Sequence, residues 1–223
     1  MPTLPDSGFN RVAPFYDSLA RLIYGDALQK AQLHLLPFIP DQSKVLVIGG
    51  GSGWLLEQLI LTGKQLAVLY LEAAPGMLTR AEAKYKSITQ PHACQITFRL
   101  GTEAALQPHE HFDCVITPFL LDLFPPKRLQ QLMQKLSAAL TPEGRWLFAD
   151  FWPVQQPAPW WQKVLTFGMY TFFGAVSGVE AKKLPDYSRH FQELDFREIA
   201  TRPFYGGFVQ AKVFERVNLS QKT

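Results

Sequence analysis

A doubly wound α/β sheet, mostly parallel, is the fold class this chain predicts, and three observations carry it. Strand-like and helix-like stretches alternate from Lys44 to Asp150, the pattern of parallel strands joined by helical crossovers. The strands are continuous apolar runs, which fits burial on both faces of a sheet. Near the end, Tyr205-Gly-Gly207 joins two more strands by a connection too short for a crossover. Those two must be antiparallel, so one reversed strand completes a parallel sheet.

Residues Met1–Gly8 read as a loose lead-in. From Phe9 a helix is predicted, with Val12, Phe15, Tyr16, Leu19, Leu22 and Ile23 on one face. Asp26–Leu36 continues as a second helix, which Pro37 and Pro40 stop. Lys44–Ile48 is the first strand and runs into Gly49-Gly-Gly-Ser-Gly53. The helix Trp54–Leu61 follows, ended by Gly63, a natural C-cap residue. Gln65–Leu71 is the second strand, closed by Glu72, and Ala73–Lys86 is the next helix. Cys94–Leu100 and Phe112–Thr117 are the third and fourth strands, the latter followed by an apolar loop, Pro118–Pro126. Lys127–Leu140 is amphipathic, with Leu129, Leu132, Met133, Leu136 and Leu140 on one side. A turn at Thr141–Gly144 leads to the fifth strand, Arg145–Asp150.

From Trp152 to Gly178 the chain turns rich in aromatic and small residues. Its apolar run, Val164–Val179, is shorter than the roughly 20 residues of a membrane span and contains Gly168, Gly174 and Gly178. A cover over a cavity, or a helix at a dimer face, fits it better. A short helix (Asp186–Glu193) and the two hairpin strands (Arg197–Pro203 and Phe208–Arg216) end the pattern. The expected organisation is one domain over 1–223, with N-terminal lid helices at 9–37 and an aromatic cover insertion at 152–193.

Of 223 residues 47% are hydrophobic and 18% charged, a globular balance that excludes a disordered chain. The net charge of +3 is mild, and Lys127-Arg128 and Lys182-Lys183 are isolated pairs, so no nucleic-acid partner is expected. The two cysteines, Cys94 and Cys114, lack C-x-x-C spacing and predict neither a metal site nor a disulfide framework. The first residues lack the basic and apolar regions of a signal peptide, which makes a cytoplasmic protein the expectation.

The chemistry gathers at the glycine cluster. A buried strand, a tight turn and a helix start let a backbone approach a nucleoside closely. The spacing is Gly49-x-Gly51-x-Gly53. The third small residue of a dinucleotide fingerprint would fall on Trp54 or Leu56, too large for close helix–strand packing. A nucleoside cofactor without a diphosphate is therefore favoured, with S-adenosylmethionine (SAM) the leading candidate. Glu72, 19 residues after Gly53, stands where a carboxylate accepts bonds from both hydroxyls of a ribose. Its alternative role is an acid favoured by a helix N-terminus.

The chain resembles the class I SAM-dependent methyltransferases. Phe9-Asn-Arg-Val-Ala-Pro-Phe-Tyr-Asp17 is similar to the F-x-x-V-A-x-x-Y-D opening of the ubiquinone/menaquinone-biosynthesis methyltransferases and their small-molecule relatives. Glu72-Ala-Ala-Pro-Gly-Met-Leu78 resembles D-x-S-x-x-M-L, Phe112-Asp-Cys-Val115 resembles F-D-x-V, and Leu140-Thr-Pro-Glu-Gly-Arg-Trp-Leu147 resembles L-x-P-G-G-x-L. The resemblance implies a Rossmann-like sheet of seven strands in the order 3-2-1-4-5-7-6 with the last strand antiparallel. It gives Gly49, Gly51 and Gly53 to the amino-carboxypropyl end of SAM and Glu72 to the ribose. It puts Ala73 and Met77 beside the adenine, Thr117 near the methionyl end and the substrate, and Tyr16 in a lid over the cofactor.

Four positions depart from the family pattern. Val47 stands where an acid two residues before the first glycine is usual, and Ala74 replaces the serine. Thr102 follows Gly101 where an acid for the adenine amino group is expected, with Glu103 one position later. Glu143 takes the place of one glycine in L-x-P-G-G. Methyl transfer mainly requires alignment, and a base helps only where the acceptor has a proton to lose. His190, Asp122, Tyr16 and Tyr205 are the candidates. Trp152, Trp160, Trp161, Phe167, Tyr170 and Phe173 would line an acceptor pocket for a small apolar or aromatic molecule, or bury themselves in core or a homodimer face. The expected function is SAM-dependent methyl transfer yielding S-adenosylhomocysteine (SAH). The rivals are a SAM-binding protein without catalysis and a nicotinamide-dependent oxidoreductase.

Overall fold

A computed structural model describes residues 24–152, 160 and 184–217. Seven strands form one sheet in the order β3-β2-β1-β4-β5-β7-β6, as expected. The strands are β1 (Lys44–Ile48), β2 (Ala67–Glu72), β3 (Gln95–Leu100), β4 (Phe112–Pro118), β5 (Leu140–Phe151), β6 (Phe196–Phe204) and β7 (Val209–Arg216). Every pairing from β3 to β5 is parallel, and β7 runs antiparallel to both β5 and β6.

Strand alternation divides the core into two layers. On one face Val45, Val47, Val68, Tyr70, Cys114, Ile116 and Leu147 pack against α1 (Ala27–Leu35), α2 (Trp54–Leu61) and α3 (Pro75–Ser87). On the other, Leu46, Ile48, Leu69, Leu71, Val115, Trp146 and Phe148 meet α4 (Pro126–Ala138) and α5 (Tyr187–Glu193). Neighbouring residues of β1 thus serve opposite layers, which is why its sequence is apolar without alternation. Pro75 and Pro126 begin α3 and α4, where their missing N–H and fixed φ cost nothing. Gly63, at φ +73°, follows the end of α2 as its sequence position predicts.

One boundary differs from expectation. Leu140 already pairs with Phe112, and the β4–β5 register then shifts so that Cys114 faces Arg145. The expected turn at Thr141–Gly144 is therefore an irregularity within β5, because both flanks of it are held by the same neighbouring strand. The first predicted helix and most of the aromatic cover lie outside the described residues. Of the lid region, α1 is described, and its buried Ala27, Ala31 and Leu35 are on the side that packs beneath β5, β6 and β7. Both cysteines are buried and unbridged. Among the described residues no helix is long and apolar enough to cross a membrane, and no three His, Cys, Asp or Glu side chains gather as a metal site.

Candidate active site

In open α/β sheets the ligand crevice lies beyond the carboxyl ends of the strands, where strand order reverses. Here that point is between β1 and its two parallel neighbours, β2 and β4. The loop leaving β1 there holds Gly49, Gly51 and Gly53 at φ +70°, +66° and +91°. Among the described residues a Cβ on Gly51 would meet nothing within 4 Å, which leaves that side of the loop open among them. Gly53 caps α2, and a Cβ there would come 2.8 Å from the Ala81 Cα of α3. The glycine is what lets the two helices close together.

Glu72 ends β2 beside this loop and is largely buried. The Gly51 N–H donates to its Oε2 at 2.9 Å, and the Ala74 N–H donates to its Oε1 at 2.9 Å. These bonds orient the carboxylate. Ala74 and Met77 form a small apolar cluster of their own on the following turn, with Ala73 half-buried before it. The carboxylate, the open glycine loop and this apolar step are what a ribose, an amino-acid tail and a purine respectively require.

Other expected contacts are placed differently. Thr102 accepts the Ala104 N–H through its hydroxyl at 3.3 Å and caps the turn Glu103–Ala105. The buried Glu103 receives the Arg128 guanidinium at 2.5 Å. Both side chains are engaged inside the protein. Thr117 lies within β4, since that strand continues to Pro118. It is fully buried, and its hydroxyl accepts the Trp146 indole N–H at 3.0 Å. The resemblance put Thr117 near the methionyl end of the cofactor; the contact described for its hydroxyl is to Trp146.

Asp122 sits in the turn Leu121–Leu123 after β4, next to Leu120, whose side chain comes within 2.8 Å of where a Gly49 Cβ would be. Asp122 is buried and its carboxyl shares a hydrogen bond with that of Asp150, also buried, at the end of β5. Asp150 further accepts the Leu121 N–H at 3.0 Å and the Phe151 N–H at 2.8 Å. Burial raises both carboxyls above the ordinary range, Asp122 to about 7. For Asp150 the nearby Asp122 charge adds to the rise, while the two backbone bonds oppose it. A tyrosine joins them: burial first and then Asp122 push the Tyr24 hydroxyl far above its usual value. The Tyr24 ring lies 5.1 Å from Phe151 and 5.5 Å from Tyr205, which projects from the β6–β7 hairpin at φ +47°.

His190 stands on α5, with Nδ1 4.0 Å from the Glu193 carboxylate of its own helix. Trp152 stacks on Tyr187 at 5.4 Å and carries the Lys212 ammonium 4.4 Å above its ring. Trp160 is 77% exposed. Tyr16, Trp161, Phe167, Tyr170 and Phe173 lie outside the described residues. Asp150, Tyr24 and Tyr70 were not foreseen. An acid inside the otherwise apolar Leu147–Phe151 run is the signal that marks Asp150. The two tyrosines carry none, being ordinary apolar-face residues of a strand and a helix.

A family model described as a methyltransferase domain matches residues 45–144. No curated protein matches in sequence. Among solved structures, the chain is similar to the mitomycin 7-O-methyltransferase MmcR at TM-score 0.63 and 17% identity, over 86% of this chain and 54% of that one. It is similar to the N-methyltransferase NodS from Bradyrhizobium japonicum, solved with SAH, at TM-score 0.61 and 15% identity, over 85% of each chain. It is similar also to the 1,6-didemethyltoxoflavin-N1-methyltransferase of Burkholderia thailandensis, solved with its substrate and SAH, at TM-score 0.63 and 14% identity, covering 96% of this chain and 88% of that one. Identities this low speak for the fold, and the matched segment spans the glycine loop, Glu72 and β4. On that segment the chain matches a methyltransferase domain, and its strand order is that of the Rossmann-like methyltransferase fold.

Proposed function

We propose that the chain transfers a methyl group from SAM to a small, apolar or aromatic acceptor. The observation that carries this reading is the pairing of an open glycine loop with Glu72, joined by the bond from the Gly51 N–H. SAM, when bound, supplies a sulfonium methyl whose carbon bonds to the acceptor as its bond to sulfur breaks, the electron pair staying on sulfur. The protein's part is alignment. Gly49, Gly51 and Gly53 take the amino-acid end, Glu72 accepts from the ribose, and Ala73, Ala74 and Met77 lie against the adenine. The turn Leu121–Leu123, packed on Gly49 through Leu120, forms the wall between cofactor and acceptor.

For an acceptor that must lose a proton, Asp122 is a better base than His190. It stands in that wall, and a carboxyl raised to about 7 is poised to exchange a proton near neutral pH. Tyr205 and Tyr24 add aromatic edges on the same side, which suits a flat acceptor.

Calorimetric titration with SAM, SAH and NADH tests the reading, followed by an acceptor panel assayed for SAH release. Binding of SAM and SAH with SAH release on an apolar acceptor is expected. Binding of NADH alone would sink the proposal. SAM binding without turnover on any acceptor would favour a binding role, a reading to which the internal engagement of Thr102 and Glu103 lends support.

A further inference from the structure

Gly51 is held by both of its polar backbone groups, and both holds come from one strand. Its N–H donates to Glu72 and its carbonyl accepts the Tyr70 hydroxyl at 3.0 Å. Tyr70 and Glu72 are two residues apart on β2, so their side chains leave the same face. Tyr70 is fully buried, and its ring fills the space under the loop: a Cβ on Gly50 would strike its hydroxyl at 2.5 Å and its ring at 2.6 Å. Above, Gly51 faces open space. The loop is thus gripped from beneath and, among the described residues, uncovered on the other side.

The grip matters because a loop with glycines at positive φ has many alternative conformations to lose on ordering. A binding loop prepaid in its bound shape loses less entropy when the ligand arrives. Val47, which pairs with Tyr70 across β1 and β2, is apolar and offers the loop no hydrogen bond. The polar support comes from the neighbouring strand instead.

We infer that Tyr70 is a positioning residue for the cofactor: its hydroxyl fixes the Gly51 peptide, and with it the end of the site that receives the amino-acid tail. This rests on the cofactor reading above. The test is Tyr70→Phe, which removes one oxygen and keeps the ring. Affinities for SAH and for adenosine are measured by calorimetry, and amide exchange at 50–52 is followed in ligand-free protein. Adenosine engages Glu72 without reaching the glycine loop, so the two ligands separate a local role from general loosening.

The expected result is SAH binding weakened about three- to tenfold, the size of one lost neutral hydrogen bond. Adenosine binding stays within about twofold, and the Gly51 amide exchanges faster. Unchanged SAH affinity with unchanged exchange would overturn the inference, and so would equal weakening of both ligands. Failure of the unaltered protein to bind SAH would instead sink the cofactor reading, and the exchange rates would still judge the hold of Tyr70 on the loop.

Discussion

A single carboxylate, Glu72, does two jobs that pull in one direction. It terminates two backbone N–H groups, those of Gly51 and Ala74, and in the proposed function the same carboxylate accepts from the ribose. Glu72→Ala should weaken SAM binding by about 1–3 kcal/mol, as expected for lost charge-assisted bonds; unchanged affinity by titration would show that the ribose is held elsewhere. Thr117 makes the opposite case. It is fully buried and serves only as acceptor for the Trp146 indole in the contacts described. Thr117→Val keeps the shape and strands that N–H, so urea unfolding should show a loss of about 1–3 kcal/mol with SAM affinity unchanged. A drop in affinity would return Thr117 to the site. The contrast shows how far a sequence can be read at this scale. Glycine spacing and a strand-end acid are local signals, and Gly51 and Glu72 do meet. Whether a hydroxyl points at a ligand or at a tryptophan 29 residues away is decided by which face of the strand it leaves and what packs there, which local sequence does not show.

Elements were far more legible than side-chain roles, because periodicity and turn residues are averaged over many positions. The hairpin at Tyr205–Gly207 joins two antiparallel strands for the simple reason that nothing longer connects them. The fifth strand was harder, since Pro142, Glu143 and Gly144 look like a turn, yet β4 holds the chain on both sides of them. Helix packing shows where a local glycine signal acquires a tertiary meaning. Gly53 and Gly63 flank α2, both at positive φ, and in isolation each looks like a helix-end residue. Only at Gly53 would a Cβ meet backbone, 2.8 Å from Ala81; at Gly63 it would meet nothing within 4 Å. Gly63→Ala should therefore cost only the left-handed penalty, about 1–2 kcal/mol. Gly53→Ala should cost a further 1–3 kcal/mol or so, for pushing α2 and α3 apart. Equal losses in denaturant unfolding would mean that the helices do not meet tightly there.

At the scale of the whole molecule the acids divide into two pH windows. Paired hydrogen bonds from Arg99 hold Glu110 down to about 2, so its contribution is lost only as pH falls below the ordinary carboxylate range. Asp122 and Asp150 act the other way. Burial raises both, they share a hydrogen bond, and Asp150 ties the turn after β4 to the end of β5. In the unfolded chain each aspartate loses its proton near pH 3.9. Between about pH 4 and 7 the pair therefore binds more protons in the folded protein than in the unfolded chain, and the stability it contributes falls as pH rises through that window. Asp122→Asn removes one of the two titrations while its amide oxygen can still accept from the Asp150 carboxyl. Melting temperatures measured at pH 5, 6 and 7 should decline less steeply in the variant, so that its advantage over the unaltered protein grows with pH. Parallel lines would show that the pair ionises at its ordinary pH and that the turn is held without a shared proton. The same measurement bears on function, because Asp122, raised to about 7, would give methyl transfer to a proton-bearing acceptor a rising limb toward that pH, which the Asn variant should lose.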